Sequence, residues 1–179
     1  MTKRRVGVLI SGRGSNLRAL IAQGLAHAEA ASVPTRTISH KDFASREAFD
    51  TALTEALEAA EVELLCNAGF MRLHSEGFVR RWWNRHLNIH PSLLPAFPGV
   101  DAQRQALEHG VKVTGATVHF VTPELDAGPI IMQAAVPVDD GDTPESLASR
   151  ILVQEHRLYP LAVRLIIGGD WHIEGRRVV

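Results

Sequence analysis

The chain has one cysteine, Cys66, among 179 residues, so no intramolecular disulfide can form. It lies in the apolar run Val62-Glu-Leu-Leu-Cys66, which predicts a small packed core side chain. No apolar stretch is long enough to span a bilayer, and the opening Met-Thr-Lys-Arg-Arg leads into no signal-peptide pattern. A cytoplasmic location and no membrane contact are expected. The formal net charge is −1, without the basic excess of a nucleic-acid footprint. A local basic patch would still hold a small anion. The sequence has no internal repeat and no low-complexity segment. It also lacks H-E-x-x-H: His86, His90, His119 and Asp126 are scattered at spacings that match no standard ligand pattern, so no metal is expected. No serine or cysteine stands out as a nucleophile.

What remains is an ordinary globular composition, 45% apolar and 22% charged, at a length that buries a sizeable core in one domain. Strand-like runs at 6–11, 35–39, 62–68, 87–90, 114–121 and 130–138 alternate with helical patterns. Ser45 reads as the N-cap of a helix reaching about residue 60. Helical patterns also cover 75–83 and 102–109. Trp82 and Trp83 are adjacent, so one helix face cannot readily bury both. Asp142-Thr-Pro-Glu145 has the cap-then-proline start of a helix, which Pro160 should bend or interrupt. The alternation predicts an α/β fold, a mostly parallel sheet with helices on both faces.

Three constellations carry chemistry. The first is Asn88-Ile-His-Pro-Ser-Leu-Leu-Pro-Ala-Phe97. Side chains alternate along a strand, so Asn88 and His90 point the same way. Pro91 then turns the chain out of the sheet. An amide able to donate to an oxyanion and an imidazole able to carry a proton are thus aimed together from a stiff support. Without chemistry, the same residues give a turn cap and a strand-end histidine. The second is Gly12-Arg-Gly-Ser-Asn16, between a strand and a helix, where glycines and free N–H groups suit an anion. It is not a dinucleotide fingerprint, since position 17 is Leu, and it lacks the lysine of a P-loop. A plain glycine turn explains it as well. The third is the loop after Thr117-Val-His119-Phe, which holds Glu124 and Asp126 within a Pro/Gly frame. A carboxylate brought near His90 would favour its charged form and relay a proton. A solvated loop acid is the plainer reading.

Taken in order, Gly-x-Gly-Ser-Asn-Leu, Ala68-Gly-Phe-Met-Arg72, Asn88-Ile-His-Pro-Ser-Leu-Leu-Pro, and Thr117-Val-His-Phe-Val with Leu125-Asp-Ala-Gly-Pro-Ile resemble the folate-dependent phosphoribosylglycinamide formyltransferases, the GAR transformylases. The resemblance covers nearly the whole chain. It implies a Rossmann-like formyltransferase fold. It also implies formyl transfer from 10-formyltetrahydrofolate, a co-substrate, to the amine of glycinamide ribonucleotide in purine synthesis. The partners implied are those two small molecules, with no nucleic acid and no membrane, in a monomer or homodimer.

Carried over by motif, Asn88 and His90 would stabilise the oxyanion, with His90 the general acid. Asp126 would keep His90 protonated and help move the amine proton through water. The amine is itself the nucleophile, which fits the absence of a serine or cysteine in that role. Gly14, Ser15 and Asn16 would hold the ribose phosphate, with Arg85 a second anion contact, and Glu155 would meet the ribose hydroxyls. Met71, Arg72, Leu73 and His74 would line the folate pocket, and Arg46 would also contact that ligand. An exposed helix arginine is the equal alternative for Arg46.

Two departures stand out. Histidines that many members carry after the Pro-Gly are replaced here by Asp101 and Gln103, and Asp101 would repel Asp126 if the two came close. The family also has a strand-bearing segment near residues 23–25 that is missing from this chain of otherwise one formyltransferase domain over 1–179. Losing an interior strand would leave backbone groups unpaired. The segment is therefore expected in the native protein, and an intact mass of 19.6 kDa would contradict that. Two other formyl-folate enzymes fit less well. A methionyl-tRNA formyltransferase would need a further C-terminal domain, and a formyl-folate hydrolase an N-terminal one. A non-catalytic nucleotide-binding module would leave Asn88, His90 and Asp126 without a purpose.

Overall fold

A computed structural model of the chain describes residues 4–10, 32 and 34–179. The chain forms two compact units, Met1–His86 and Leu87–Val179.

In the first unit β1 (Val6–Leu9) pairs in parallel with β2 (Leu64–Asn67). All four β2 residues are buried, as expected of a parallel strand covered on both faces. Cys66 packs there as a core residue. Between the strands runs α1 (Arg46–Ala59), capped as expected by Ser45, whose hydroxyl accepts from Ala48 N–H at 3.1 Å. Phe49, Leu53 and Leu57 recur every four residues and form one buried stripe. They meet Leu9, Leu65, Phe78 and Trp82 in the core. The short helix α2 (Glu76–Arg81) starts at its N-cap Ser75 and brings in Phe78 and Val79. Trp82 is buried while Trp83 is half exposed, so the adjacent tryptophans do separate.

The strand expected at 35–39 does not form. Ile38 is its one apolar side chain, and it packs on the core from an irregular segment that ends in a 3-10 turn, His40–Asp42. The neighbouring Thr35, Arg36 and Thr37 are exposed and gain nothing from a ladder.

The strand β3 (His86–His90) opens the second unit, whose sheet runs β3-β4-β5-β7-β6. The helix α3 (Ala102–Glu108) follows, then β4 (Val113–Phe120) and β5 (Ile130–Pro137). β3 and β4 are antiparallel, and so are β4 and β5. The connection from Phe120 to Ile130 is too short for a parallel crossover, which needs a dozen or more residues. The second unit's sheet is therefore mixed: antiparallel along β3-β4-β5 and parallel between β5 and β7.

The long helix α4 (Pro144–Gly168) packs on β4 and β5 through Leu147, Ile151, Leu158, Ala162 and Ile166. It starts as expected, with Thr143 and Ser146 forming a reciprocal cap and Pro144 in the first turn. Pro160 does not interrupt it. Leu158 and Ala162 are buried on either side, and the Tyr159 hydroxyl donates to the Leu87 carbonyl at 3.2 Å. Pro160 and His156, whose carbonyl loses its helix partner, are both exposed, so that carbonyl is not left buried without a partner. A C-terminal hairpin, β6 (Ile173–Glu174) and β7 (Arg177–Val178), was not expected from the pattern. Gly175 makes its turn at φ 61°. Among the described residues no helix is long and apolar enough to cross a membrane.

Candidate active site

Strand register assembles the site. Asn88 lies opposite His119, and His90 opposite Thr117. Residues two apart on one strand, and residues opposite each other on neighbouring strands, share a face. One face of the second unit's sheet therefore presents Asn88, His90, Thr117 and His119 together. A register irregularity between Val118 and His119 sits beside them, the kind of bulge that re-aims side chains near active sites. Asp126 arrives from the loop after β4, held at φ 49°. That left-handed conformation is tolerated by Asp but carries strain, which clusters at functional sites.

The hydrogen bonds fix the two imidazoles differently. Nε2 of His90 lies 2.8 Å from the carbonyl oxygen of Phe97. A carbonyl only accepts, so Nε2 carries a hydrogen. Nδ1 faces Asp126 Oδ2 at 3.4 Å. Nδ1 of His90 thus points at a carboxylate, with both side chains almost wholly buried.

His119 has the opposite tautomer. Its Nδ1 donates to the Phe120 carbonyl at 2.9 Å, so Nε2 accepts from the Asn88 amide at 3.2 Å. Burial pushes the His119 pKa down, against the opposing pull of the Phe120 carbonyl and Asp126. The ring is therefore neutral. Its 3.6 Å approach to Asp126 Oδ1 is a contact, not an ion pair. Asn88 spends one amide hydrogen on His119, and among the described residues the other has no partner.

Asp126 also accepts from the Gly99 N–H at 2.8 Å. That backbone donor ties the carboxylate to the turn containing Asp101. Asp101 itself is exposed and makes no side-chain cap bond.

Of the other expected site residues, Gly14, Ser15 and Asn16 lie outside the described residues. Glu155 is half-buried on α4, and burial raises its carboxyl to about 6. Arg85 stands at the start of β3, where its guanidinium lies 5.0 Å from the Trp82 ring centre and donates to the Arg81 carbonyl. In the first unit Met71 and Leu73 are 60% and 62% exposed, an unusual state for two large apolar side chains in one loop. Arg72 lies over the Phe49 ring, and Arg46 opens α1 beside Glu47.

His74 differs from its exposed neighbours Met71 and Leu73. Its side chain is buried, stacked between Phe70 and Phe78 with ring centres 4.6 and 4.2 Å away. Its Nδ1 lies 3.3 Å from Asp50, which also accepts the Ser75 N–H. Only the backbone of His74 can face a ligand. Burial alone would raise the Asp50 carboxyl, but hydrogen bonds from His74 and Ser75 outweigh it and hold the group below its usual range.

His86, one of the scattered histidines, has Nε2 on Asn67 Oδ1 at 2.9 Å. Sequence reasoning missed the roles of His119, Phe97 and Thr117. Each depends on a pairing that only the ladder register reveals.

Residues 21–163 match the formyl transferase family, and the chain belongs to it. It is 42% identical to phosphoribosylglycinamide formyltransferase of Escherichia coli, over 94% of this chain and 87% of that one. It is 49% identical to the trifunctional purine biosynthetic protein adenosine-3 of Bos taurus, but 93% of this chain spans only 19% of that protein's length. Among solved structures, glycinamide ribonucleotide transformylase 1 of Symbiobacterium toebii superposes with a TM-score of 0.89 at 52% identity, covering 98% of this chain and 92% of that one.

Proposed function

We propose that this chain transfers the formyl group of 10-formyltetrahydrofolate to the amine of glycinamide ribonucleotide, a step of purine synthesis. The observation that carries the reading is the buried His90–Asp126 pair beside an Asn88 amide held by a neutral His119. The names and near-full coverage of the E. coli and S. toebii relatives support the ribonucleotide as formyl acceptor, and the folate donor rests on the family resemblance.

The ribonucleotide nitrogen attacks the formyl carbon, and the carbonyl electron pair moves to oxygen. The free N–H of Asn88 and the N–H at His90 Nδ1 stabilise that oxyanion. The attacking nitrogen then loses a proton, and the folate N10 gains one as its bond to carbon breaks. Asp126 balances the imidazolium and relays the proton through water. The products are the N-formylated ribonucleotide and tetrahydrofolate. The protein supplies no nucleophile, in keeping with the absence of a serine or cysteine at the site.

In this reading Gly14, Ser15 and Asn16 hold the phosphate and Glu155 the ribose hydroxyls. Met71, Arg72 and Leu73 offer an exposed, partly apolar platform to the folate, with His74 and Arg46 as further contacts. Arg85 is the weakest member, its guanidinium already engaged. The family's strand-bearing segment near residues 23–25 belongs to the same proposal. The E. coli alignment runs over 190 residues against 179 here, so that relative has residues without a counterpart in this chain.

Incubating the protein with both substrates, and following formyl loss with a His90→Ala control, tests the reading. Transfer that needs the ribonucleotide and collapses in the variant supports it. Formate release without the ribonucleotide would instead show a hydrolase.

A further inference from the structure

We propose that Thr117 and Gln133 are positioning residues for the transfer reaction, acting through the turn that follows His90. The proposal rests on the role given to His90 above. His90, Thr117 and Gln133 are successive cross-strand partners on β3, β4 and β5, so they form one row across the sheet.

The Thr117 hydroxyl is saturated. It donates to the Ser92 carbonyl at 2.7 Å, and accepts from Leu94 N–H at 3.0 Å and Gln133 Nε2 at 2.9 Å. One donor and two acceptors are all that a hydroxyl offers. Gln133 Nε2 also donates to the Leu94 carbonyl at 2.9 Å. Two side chains from two strands thus grip three backbone groups of the turn. From there the restraint runs forward. The Ser92 hydroxyl, fully buried, reaches the Ala96 carbonyl at 2.5 Å and the Phe97 carbonyl at 3.3 Å. Phe97 is the residue whose carbonyl takes the Nε2 hydrogen of His90. The clamp therefore sets where that carbonyl stands. Through it, the clamp sets the plane of the imidazole and leaves Nδ1 as the nitrogen that exchanges a proton.

Core packing does not account for these residue types. Valine would fill the buried Thr117 site equally well, yet a hydroxyl is there with every bond used. Gln133 is exposed and adds nothing to the core, yet its amide makes two bonds.

The test compares Thr117→Val, Thr117→Ser, Gln133→Ala and Gln133→Glu in the full chain. Thermal melting checks the fold, steady-state kinetics the reaction, and the imidazole ¹⁵N spectrum the His90 hydrogen bond. Thr117→Val should lower kcat by roughly tenfold or more while both KM values stay within about twofold, since it misplaces a group rather than removing a binding contact. Thr117→Ser, which keeps the hydroxyl, should recover most of kcat. Gln133→Glu keeps the shape but loses the donor, so it should fall with Gln133→Ala. The His90 Nε2–H resonance should shift or broaden in Thr117→Val and both Gln133 variants, whether or not transfer occurs. An unchanged resonance in the folded Gln133 variants, equal loss in Thr117→Val and Thr117→Ser, or a Gln133→Glu enzyme with normal kcat would overturn the proposal. Wild-type protein that transfers no formyl group would sink the functional reading instead, and the resonance would still decide the clamp.

Discussion

The amide nitrogen of Asn88 lies 3.2 Å from a His119 nitrogen that can only accept, because the other ring nitrogen has donated to the Phe120 carbonyl. A neutral histidine thus orients the amide that the proposed mechanism points at the oxyanion. His119→Ala should lower kcat roughly tenfold with little change in KM, the expected result of misplacing a donor rather than deleting it. His119→Gln keeps an acceptor on a side chain of similar reach and should retain more activity. Equal KM and kcat losses in His119→Ala would contradict this role.

Glu155 gives a pH signature. Burial raises its carboxyl from 4.5 to about 6, so the folded state binds this proton more tightly than the unfolded chain. Stability linked to Glu155 is therefore fully present below about pH 4.5 and is lost as pH rises through about 6. Glu155→Gln should stabilise the protein at pH 8 by about 1–2 kcal/mol, read as a higher urea midpoint. If the carboxylate binds ribose hydroxyls, KM for the ribonucleotide should climb as pH falls below about 6 in the wild type and stay flat in the variant. A variant with wild-type KM at every pH would remove Glu155 from the site.

Asp50 behaves in the opposite sense. Its native pKa lies below the ordinary 3.8, so its contribution is present above that value and is lost as pH falls through the lowered one. Asp50→Ala leaves the buried Ser75 N–H and His74 Nδ1 without their acceptor, and should cost about 2–3 kcal/mol at neutral pH. Chemical denaturation measures it. A loss below half that value would mean that water or a shifted loop takes over the bonds.

Gly128 stands where the chain returns from Asp126 to β5. A Cβ there would lie 1.8 Å from the Phe120 carbonyl oxygen, an impossible contact with backbone rather than a flexible side chain. The same stretch is tied by Phe120 N–H to the Pro129 carbonyl at 2.9 Å. Gly128→Ala should cost about 1–3 kcal/mol and lower kcat by moving Asp126. Wild-type activity at wild-type stability would show that the loop relaxes without affecting the carboxylate.

Much of this was legible in residue order. The shared direction of Asn88 and His90 followed from strand alternation and Pro91, and Ser45 and Thr143–Pro144 marked their helices by local hydrogen bonding alone. What sequence could not supply was register. Nothing local says that His119 lies opposite Asn88, or that Thr117 and Gln133 continue the row from His90. The burial of His74 was equally hidden, because its loop neighbours Met71 and Leu73 are exposed and the Asp50 that draws it inward is 24 residues away. Pro160 leaves the helix continuous, with the freed His156 carbonyl on an exposed residue, an exposure that residue order alone does not show.

The most direct measurement is a steady-state formyl-transfer assay on wild-type protein, Asn88→Ala, His90→Ala and Asp126→Asn, with 10-formyltetrahydrofolate and glycinamide ribonucleotide. The mechanism predicts ribonucleotide-dependent transfer by the wild type and a loss of kcat by roughly a hundredfold or more in each variant, with modest KM changes. Full transfer by a folded His90→Ala protein would contradict it.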